Sequence, residues 1–146
     1  RTRLGRLAPL DGFGVDVEVT ETALQTGAPT IAALRALRAL GVRIAIDDFG
    51  TGYSCLNSLK HLPVDILKID RSFICGIPDG DDGAIAAAIA AIGRGLGMRV
   101  VAEGVETAAQ LQFVAALGCD EVQGFVHFPP LSNEDCARVL REDAAM

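Results

Sequence analysis

The sequence predicts an α/β domain on a parallel sheet, and three observations carry that reading. Short apolar runs alternate with amphipathic stretches of helical period. The pairs Leu40-Gly41, Leu96-Gly97 and Leu117-Gly118 close three of those stretches, and a short predicted strand follows each pair. Glycine just past a helix takes a positive φ without steric cost, so each pair marks a helix stop. Strands that alternate with helices of about a dozen residues make βαβ units, which need parallel pairing.

In chain order, strands are predicted near residues 15–20, 43–48, 65–70, 98–103 and 120–124. The first predicted helix is capped by Thr30 and runs to Leu40, with Ile31, Leu34 and Leu37 on one face and Arg35 and Arg38 on another. The second is Ala-rich and carries a stripe of Ile85, Ile89, Ile92 and Leu96. Thr107 caps a third helix bearing Leu111, Val114 and Leu117, and Ser132 a fourth bearing Cys136, Val139 and Leu140. All four stripes are expected to be core faces.

The chain has 146 residues, half of them hydrophobic, which suffices for one domain with a core and little more. A single domain over 1–146 is therefore expected. Net charge is −6 and the 13 Lys and Arg are scattered, so a nucleic-acid polymer is not an expected partner. Cys55, Cys75, Cys119 and Cys136 show neither C-x-x-C spacing nor the density of a disulfide scaffold, which points to reduced thiols and a cytoplasmic location. No apolar run approaches the ~18 residues of a membrane span, and no signal peptide is evident, so no membrane segment is expected in this chain. It begins at Arg1 within a polar stretch, which suggests a piece of something longer.

In parallel α/β folds, functional groups gather at the carboxyl ends of strands. Those ends carry Glu18 and Glu21, then Asp47 and Asp48, then Lys68 and Asp70, then Glu103 and Glu106, and finally Gln123. Side chains alternate faces along a strand, which puts Glu18 with Asp16, Asp47 with Ala45 and Glu103 with Val101. If those faces line a barrel, Glu18, Asp47, Lys68 and Glu103 point to its axis. So many carboxylates repel one another unless a cation neutralises them. Oxygen donors without His or Cys favour Mg²⁺ or Mn²⁺. A carboxylate shared between two ions gives a reason for adjacent Asp47 and Asp48, and such two-metal sites typically cleave phosphodiesters. Lys68 would add a fixed positive charge near an attacking water or a phosphoryl oxygen.

Other features carry less. Gly50 and Gly52 follow a strand, but no G-K-[ST] follows them. "GRGLG" at 93–97 ends a helix instead of following a strand, so it is no dinucleotide fingerprint. A Ca²⁺ loop starting at Asp79 would need Gly and Glu where Ala84 and Ala90 stand. His61 and His127 are isolated.

The segments "EVTE", "DDFGTGYSCL", "LPVDILKIDRSFI", "VVAEGVET" and "LGCDEVQGF", in this order, closely resemble the later part of the EAL domain, the cyclic-di-GMP-specific phosphodiesterase family. The resemblance runs from about Asp16 to about Leu140. It implies a TIM-like (β/α) barrel that hydrolyses cyclic-di-GMP to linear pGpG with two Mg²⁺ or Mn²⁺ ions. Carried over residue by residue, it implies that Glu18 and Asp47 ligate one metal and Asp47, Asp48 and Glu103 the other. Lys68 would help to orient the attacking water, Glu106 and Gln123 would support the site, and Glu21 would steady the loop after Asp48. Asp70 and Gly124 lie within the matching segments and join this supporting group. The loop 49–56 resembles the family segment that joins substrate binding to homodimerisation.

The departures set limits. The Glu-Ala-Leu signature is absent, and the chain resembles a domain truncated at its N-terminus. A TIM barrel has eight strands in about 250 residues, and about five of them fit here. Two ligands of the first metal would then be missing, so weak or no catalysis is expected of this chain alone. Cys55 stands where the loop commonly has Ser, and "HFPP" at 127–130 where a basic residue usually precedes the proline of the last loop. The alternative to an enzyme is a noncatalytic module that binds cyclic-di-GMP or a protein partner.

Overall fold

The computed structural model describes residues 14–24, 27–51, 59–78 and 81–143. The elements in order are β1 (Asp16–Thr20), α1 (Glu21–Leu24), α2 (Ala28–Arg38), β2 (Arg43–Phe49), β3 (Ile66–Ile69), a 3₁₀ turn (Arg71–Phe73), α3 (Asp82–Gly95), β4 (Arg99–Glu103), α4 (Ala108–Ala116), β5 (Glu121–Gln123) and α5 (Asn133–Asp143). The strands form one sheet in the order β1-β2-β3-β4-β5, every pair parallel. Each strand lies beside its predecessor, and among the described residues the sheet does not close. This is an α/β fold of the partial (β/α) barrel type.

The strands fall where the apolar runs put them. The three Leu-Gly stops also hold: Gly41, Gly97 and Gly118 have φ of 86°, 71° and 75°. Thr107 caps α4, accepting from the Gln110 amide, while the Gln110 side chain accepts in return from the Thr107 amide. Ser132 precedes α5 and accepts from the Asp135 amide at 3.2 Å.

Two expectations are corrected. Thr30 does not cap α2, which starts two residues earlier after Gly27 with Pro29 in its first turn, a place where proline's missing N–H costs nothing. The helix also ends at Arg38, and Leu40 is 62% exposed. The apolar stripes are core faces only in part. In α3 the buried residues are Gly83, Ala86, Ile89, Ala90 and Gly93, while Ile85 and Leu96 face solvent. Close approach decides this: a Cβ on Gly93 would lie 2.6 Å from Val100 Cγ2, so glycine is needed at that point of contact with the sheet. In α5, which follows the last strand of the sheet, Leu140 and Cys136 are exposed and Val139 is half-buried.

The sheet separates two environments by alternation along its strands. Ile44, Ile46, Leu67, Ile69, Val100 and Ala102 join Leu34, Ile89 and Val114 of the helices in the main core. The intervening Ala45, Ile66 and Val101 form a separate small cluster on the opposite face. Aspartates pin the register of these strands. Asp65, just before β3, accepts from the Ile44 amide at 3.0 Å, and Asp120, just before β5, accepts from the Val100 amide at 2.7 Å. Arg43 holds Asp16 across β1 and β2 through two bonds of 2.6 and 2.9 Å.

This packing makes two predictions. Gly93→Val should lower the unfolding free energy in urea by about 1–3 kcal/mol through overpacking. Gly95→Ala, where a Cβ meets nothing within 4 Å, should instead raise it by about 0.5–1 kcal/mol. The second concerns thiols. Burial pushes the Cys119 thiol up to about 11, while Cys75 and Cys136 are exposed. In residue-resolved alkylation at pH 8, Cys119 should therefore react more slowly than either.

Candidate functional site

Four successive strands send one side chain each to the face away from the helices, at the carboxyl ends of the sheet. Lys68 of β3 is at the centre. Its Nζ lies 2.6 Å from Glu18 Oε1 of β1 and 3.0 Å from Asp47 Oδ1 of β2, and it also pairs with Glu103 Oε1 of β4. The Asp47 contact is an ion pair without good hydrogen-bond alignment, and Asp47 Oδ1 is buried. The side chain of Lys68 is 6% exposed and that of Glu103 17%, whereas Glu18 at 53% stands at the rim. Ala45, Ile66 and Val101, two residues before Asp47, Lys68 and Glu103, make an apolar floor. The predicted axial set of Glu18, Asp47, Lys68 and Glu103 is thus one cluster.

The paired aspartates are explained by a break in the ladder. The β2–β3 register shifts between Ile46 and Phe49, and Asp48 has φ of 55°. One extra residue is inserted there, so Asp47 keeps the open face while Phe49 returns to the main core, 4% exposed. Without the bulge, alternation would put Phe49 on the face of Asp47. Asp48 remains at the mouth beside Asp47 and Asp70. Thr51 closes the turn, its amide and hydroxyl donating to the Asp48 carbonyl at 3.3 and 2.9 Å. Residues 52–56 of the loop, with Cys55, lie outside the described residues.

The electrostatics follow from this crowding. Burial alone would lower the Lys68 pKa, but Glu103, Glu18 and Asp47 outweigh it and hold the ammonium above its ordinary value. Desolvation, then the Asp47 and Asp70 carboxylates, push Asp48 up. Desolvation pushes Glu103 up against the opposing pull of Lys68, with Asp47 and Glu18 adding to the rise. Burial disfavours ionised Asp70, yet the Ser72 hydroxyl and amide, the Arg71 amide and Asp48 keep its carboxyl below the usual range. Three carboxylates thus hold one ammonium, with Asp48 and Asp70 beside them.

Among the described residues no group of three or more Asp, Glu, His or Cys is arranged as a metal cage. The Lys68 ammonium itself lies between three of the four expected donors. The donor chemistry nevertheless fits a hard divalent cation: every candidate is a carboxylate, and desolvation, with neighbouring carboxylates adding to it, holds Asp48 and Glu103 up against the pull of Lys68.

Of the supporting residues, Glu106, Gln123 and Gly124 line an adjoining cleft of about 430 Å³, whereas Asp70 lies beside Asp48 and Glu21 lies on α1. Glu103 links the two regions, since it pairs with Lys68 and also lines the cleft with Glu106 and Gln123. Glu106 pairs with Arg71 at 2.9 Å, not with Lys68. Gly124 is required by contact: a Cβ there would fall on the Val105 backbone, whose amide and carbonyl bond to the Gln123 carbonyl and the Val126 amide at 3.2 and 3.0 Å. Phe125 and Phe128, both more than half exposed, form the apolar wall with Pro129 and Pro130. Glu21 is half-buried at the first residue of α1, directly after β1.

Sequence reasoning missed Arg71 and Gln110. The Thr107-x-x-Gln110 spacing is a capping-box signature and was available as a signal. Arg71 carries no signal beyond its place just after a strand end.

The fold and its rim of acids have counterparts among known proteins. The EAL domain family matches residues 1–130. MucR of Pseudomonas aeruginosa, a bifunctional diguanylate cyclase/cyclic di-GMP phosphodiesterase, is 52% identical over 120 residues, covering 81% of this chain and 18% of MucR. The cyclic di-GMP phosphodiesterase NbdA of the same organism is 49% identical over 136 residues, covering 90% of this chain and 17% of NbdA. The chain therefore spans less than a fifth of either relative. The structure of the PaMucR phosphodiesterase in its c-di-GMP complex matches with a TM-score of 0.78 at 50% identity, over 83% of this chain and 50% of that one. Klebsiella pneumoniae BlrP1, in a manganese/cy-diGMP complex, matches with a TM-score of 0.68 at 39% identity, over 78% of this chain and 30% of that one. On the family match and on the identity and fold shared with these relatives, the chain belongs to the EAL domain family.

Proposed function

We propose that this chain is the later portion of a cyclic-di-GMP phosphodiesterase domain, in a protein that hydrolyses one phosphodiester of cyclic-di-GMP to give linear pGpG. The observation that carries the reading is the cluster of Glu18, Asp47 and Glu103 on Lys68, with Asp48 added by the bulge, at the carboxyl rim of the sheet. That is more negative charge than one ammonium balances, and it opens on a cleft of a size suited to a small ligand. The likeness to proteins named cyclic di-GMP phosphodiesterases and to structures solved with that nucleotide supports the substrate.

In this reading Glu18 and Asp47 hold one divalent cation and Asp47, Asp48 and Glu103 a second, Mg²⁺ or Mn²⁺. When bound, such ions polarise the phosphoryl oxygen and acidify the attacking water. Lys68 is held rigidly by its floor and partners, so its charge is already aimed where charge develops, with no reorganisation needed. Glu106, Gln123 and Gly124 shape the cleft, Asp70 steadies Asp48, and Glu21 steadies the loop 49–56, through which a homodimer would form. Residues 1–146 form a single unit of the domain. No described helix is long and apolar enough to cross a membrane, and a cytoplasmic location suits a nucleotide second messenger. Because the chain spans half of the solved MucR chain, activity is assigned to the longer protein, and these 146 residues alone should turn over slowly or not at all.

The test is incubation of the longer protein and of this chain with cyclic-di-GMP and Mg²⁺ or Mn²⁺, with chromatography for pGpG and isothermal titration in Ca²⁺. Product from the longer protein supports the reading. Tight binding without product would replace it with a noncatalytic binding module. Two variants probe the cluster in the longer protein. Lys68→Gln should lower kcat by about 10²–10³-fold, the scale of one fixed charge at a reacting phosphate. Mn²⁺ should raise the thermal unfolding midpoint of the wild type by linkage, and Asp47→Asn, which removes the shared charge, should abolish both that rise and turnover.

A further inference from the structure

Two loops frame the mouth of the site. One follows β3 over 70–78 and carries Asp70 and Arg71; the other follows β4 over 104–107 and carries Glu106. The Arg71–Glu106 pair joins them, but its side chains are 62% and 40% exposed, so solvent screens it. Gly104 also lies against the aliphatic stem of Arg71. The remaining link is buried. Gln110 Nε2 donates to the Ile74 carbonyl at 3.1 Å, with Gln110 6% exposed and Ile74 at 0%. Gln110 Oε1 meanwhile accepts from the amides of Glu106 and Thr107 at 2.8 and 3.0 Å.

A residue that only capped α4 would need no more than that oxygen, and Glu fills the same place in a capping box. The carboxamide nitrogen is surplus to the cap, yet it reaches a backbone position 36 residues away. Nor does Ile74 need it, because its carbonyl already accepts from the Ile77 amide at 3.1 Å. We infer that Gln110 is a positioning residue: its carboxamide fastens the 104–107 loop to the 70–78 loop and so fixes Glu103 and Glu106 relative to Lys68 and Arg71. The consequence for metal binding rests on the proposed function; the tether itself does not.

Two variants of this chain separate cap from tether. Gln110→Glu keeps the acceptor for the Glu106 and Thr107 amides and removes the donor to Ile74. Thr107→Ala removes the other half of the cap and keeps the tether. Amide hydrogen exchange on peptides covering 70–78 and 103–107, with Mn²⁺ titration of the same samples, is the readout. In Gln110→Glu, exchange over 70–78 should accelerate about tenfold or more while the Glu106 and Thr107 amides stay protected. Mn²⁺ affinity should fall by about 10–100-fold, the range for groups that orient metal ligands. In Thr107→Ala, exchange should rise only at the start of α4, with Mn²⁺ affinity unchanged. Wild-type exchange over 70–78 in Gln110→Glu overturns the tether. Should the buried charge unfold that variant, the uncharged Gln110→Met replaces it; acceleration in both loops supports the tether, and acceleration confined to 103–107 overturns it. If this chain takes up no Mn²⁺, the titration is made on the longer protein, where absence of uptake counts against the proposed function, and the exchange comparison on this chain still decides the tether.

Discussion

The Lys68 ammonium, enclosed by three carboxylates on an apolar floor, is the contact on which the other features depend. A lysine buried on Ala45, Ile66 and Val101 would shed its proton if left alone, because desolvation penalises the charged form. Here three partners reverse that tendency. They come from β1, β2 and β4, so the cluster exists only if all four strands keep their register. A slip of one residue would send Lys68 into the helix-side core and Leu67 onto the open face. The Asp65 and Asp120 bonds to the preceding strands therefore do more than end a loop. They fix the phase in which the charged and apolar faces are read.

The two faces of the sheet impose different demands, and α3 shows how the helix side meets its own. Its buried residues are glycine, alanine and one isoleucine, which lets the helix lie close on β3 and β4. Close packing on that side buries Leu67, Ile69, Val100 and Ala102 completely and leaves them little room to shift. These residues alternate with Lys68, Val101 and Glu103, so rigidity on the apolar face is passed through the backbone to the charged one. A looser helix contact would free the strand ends that carry the site.

Much of this was legible in the sequence, for identifiable reasons. Leu-Gly stops and apolar runs located the strands because a positive-φ glycine and a buried strand each have a compositional mark. Parity then places Glu18, Asp47, Lys68 and Glu103 on one face. What escaped depends on distances between elements. The Ile85 and Leu96 stripe looked like a core face, but how close α3 sits to the sheet decides which residues are buried. Leu140 fits a helical stripe equally well, yet a stripe is silent about what lies opposite it. Thr30 is a good capping residue displaced by Gly27 and Pro29, which suit the first turn better. Arg71 and Gln110 act between loops, and no local pattern reports on a partner 36 residues away.

The bulge at Asp48 shows why a costly local conformation belongs here. A left-handed backbone at a residue other than glycine costs about 1–2 kcal/mol, and aspartate is among the few residues that tolerate it. Part of that cost is offset locally, since the Asp48 carbonyl accepts two bonds from Thr51. A regular strand would avoid the strain but would put Phe49 on the face of Asp47. The bulge instead lets two consecutive carboxylates reach one mouth while Phe49 still enters the core. Strain, like-charge repulsion and desolvation all oppose this arrangement, and Lys68 compensates only part of it. A fold that keeps such a feature is stabilised elsewhere, and what it gains at the mouth is a strong demand for positive charge.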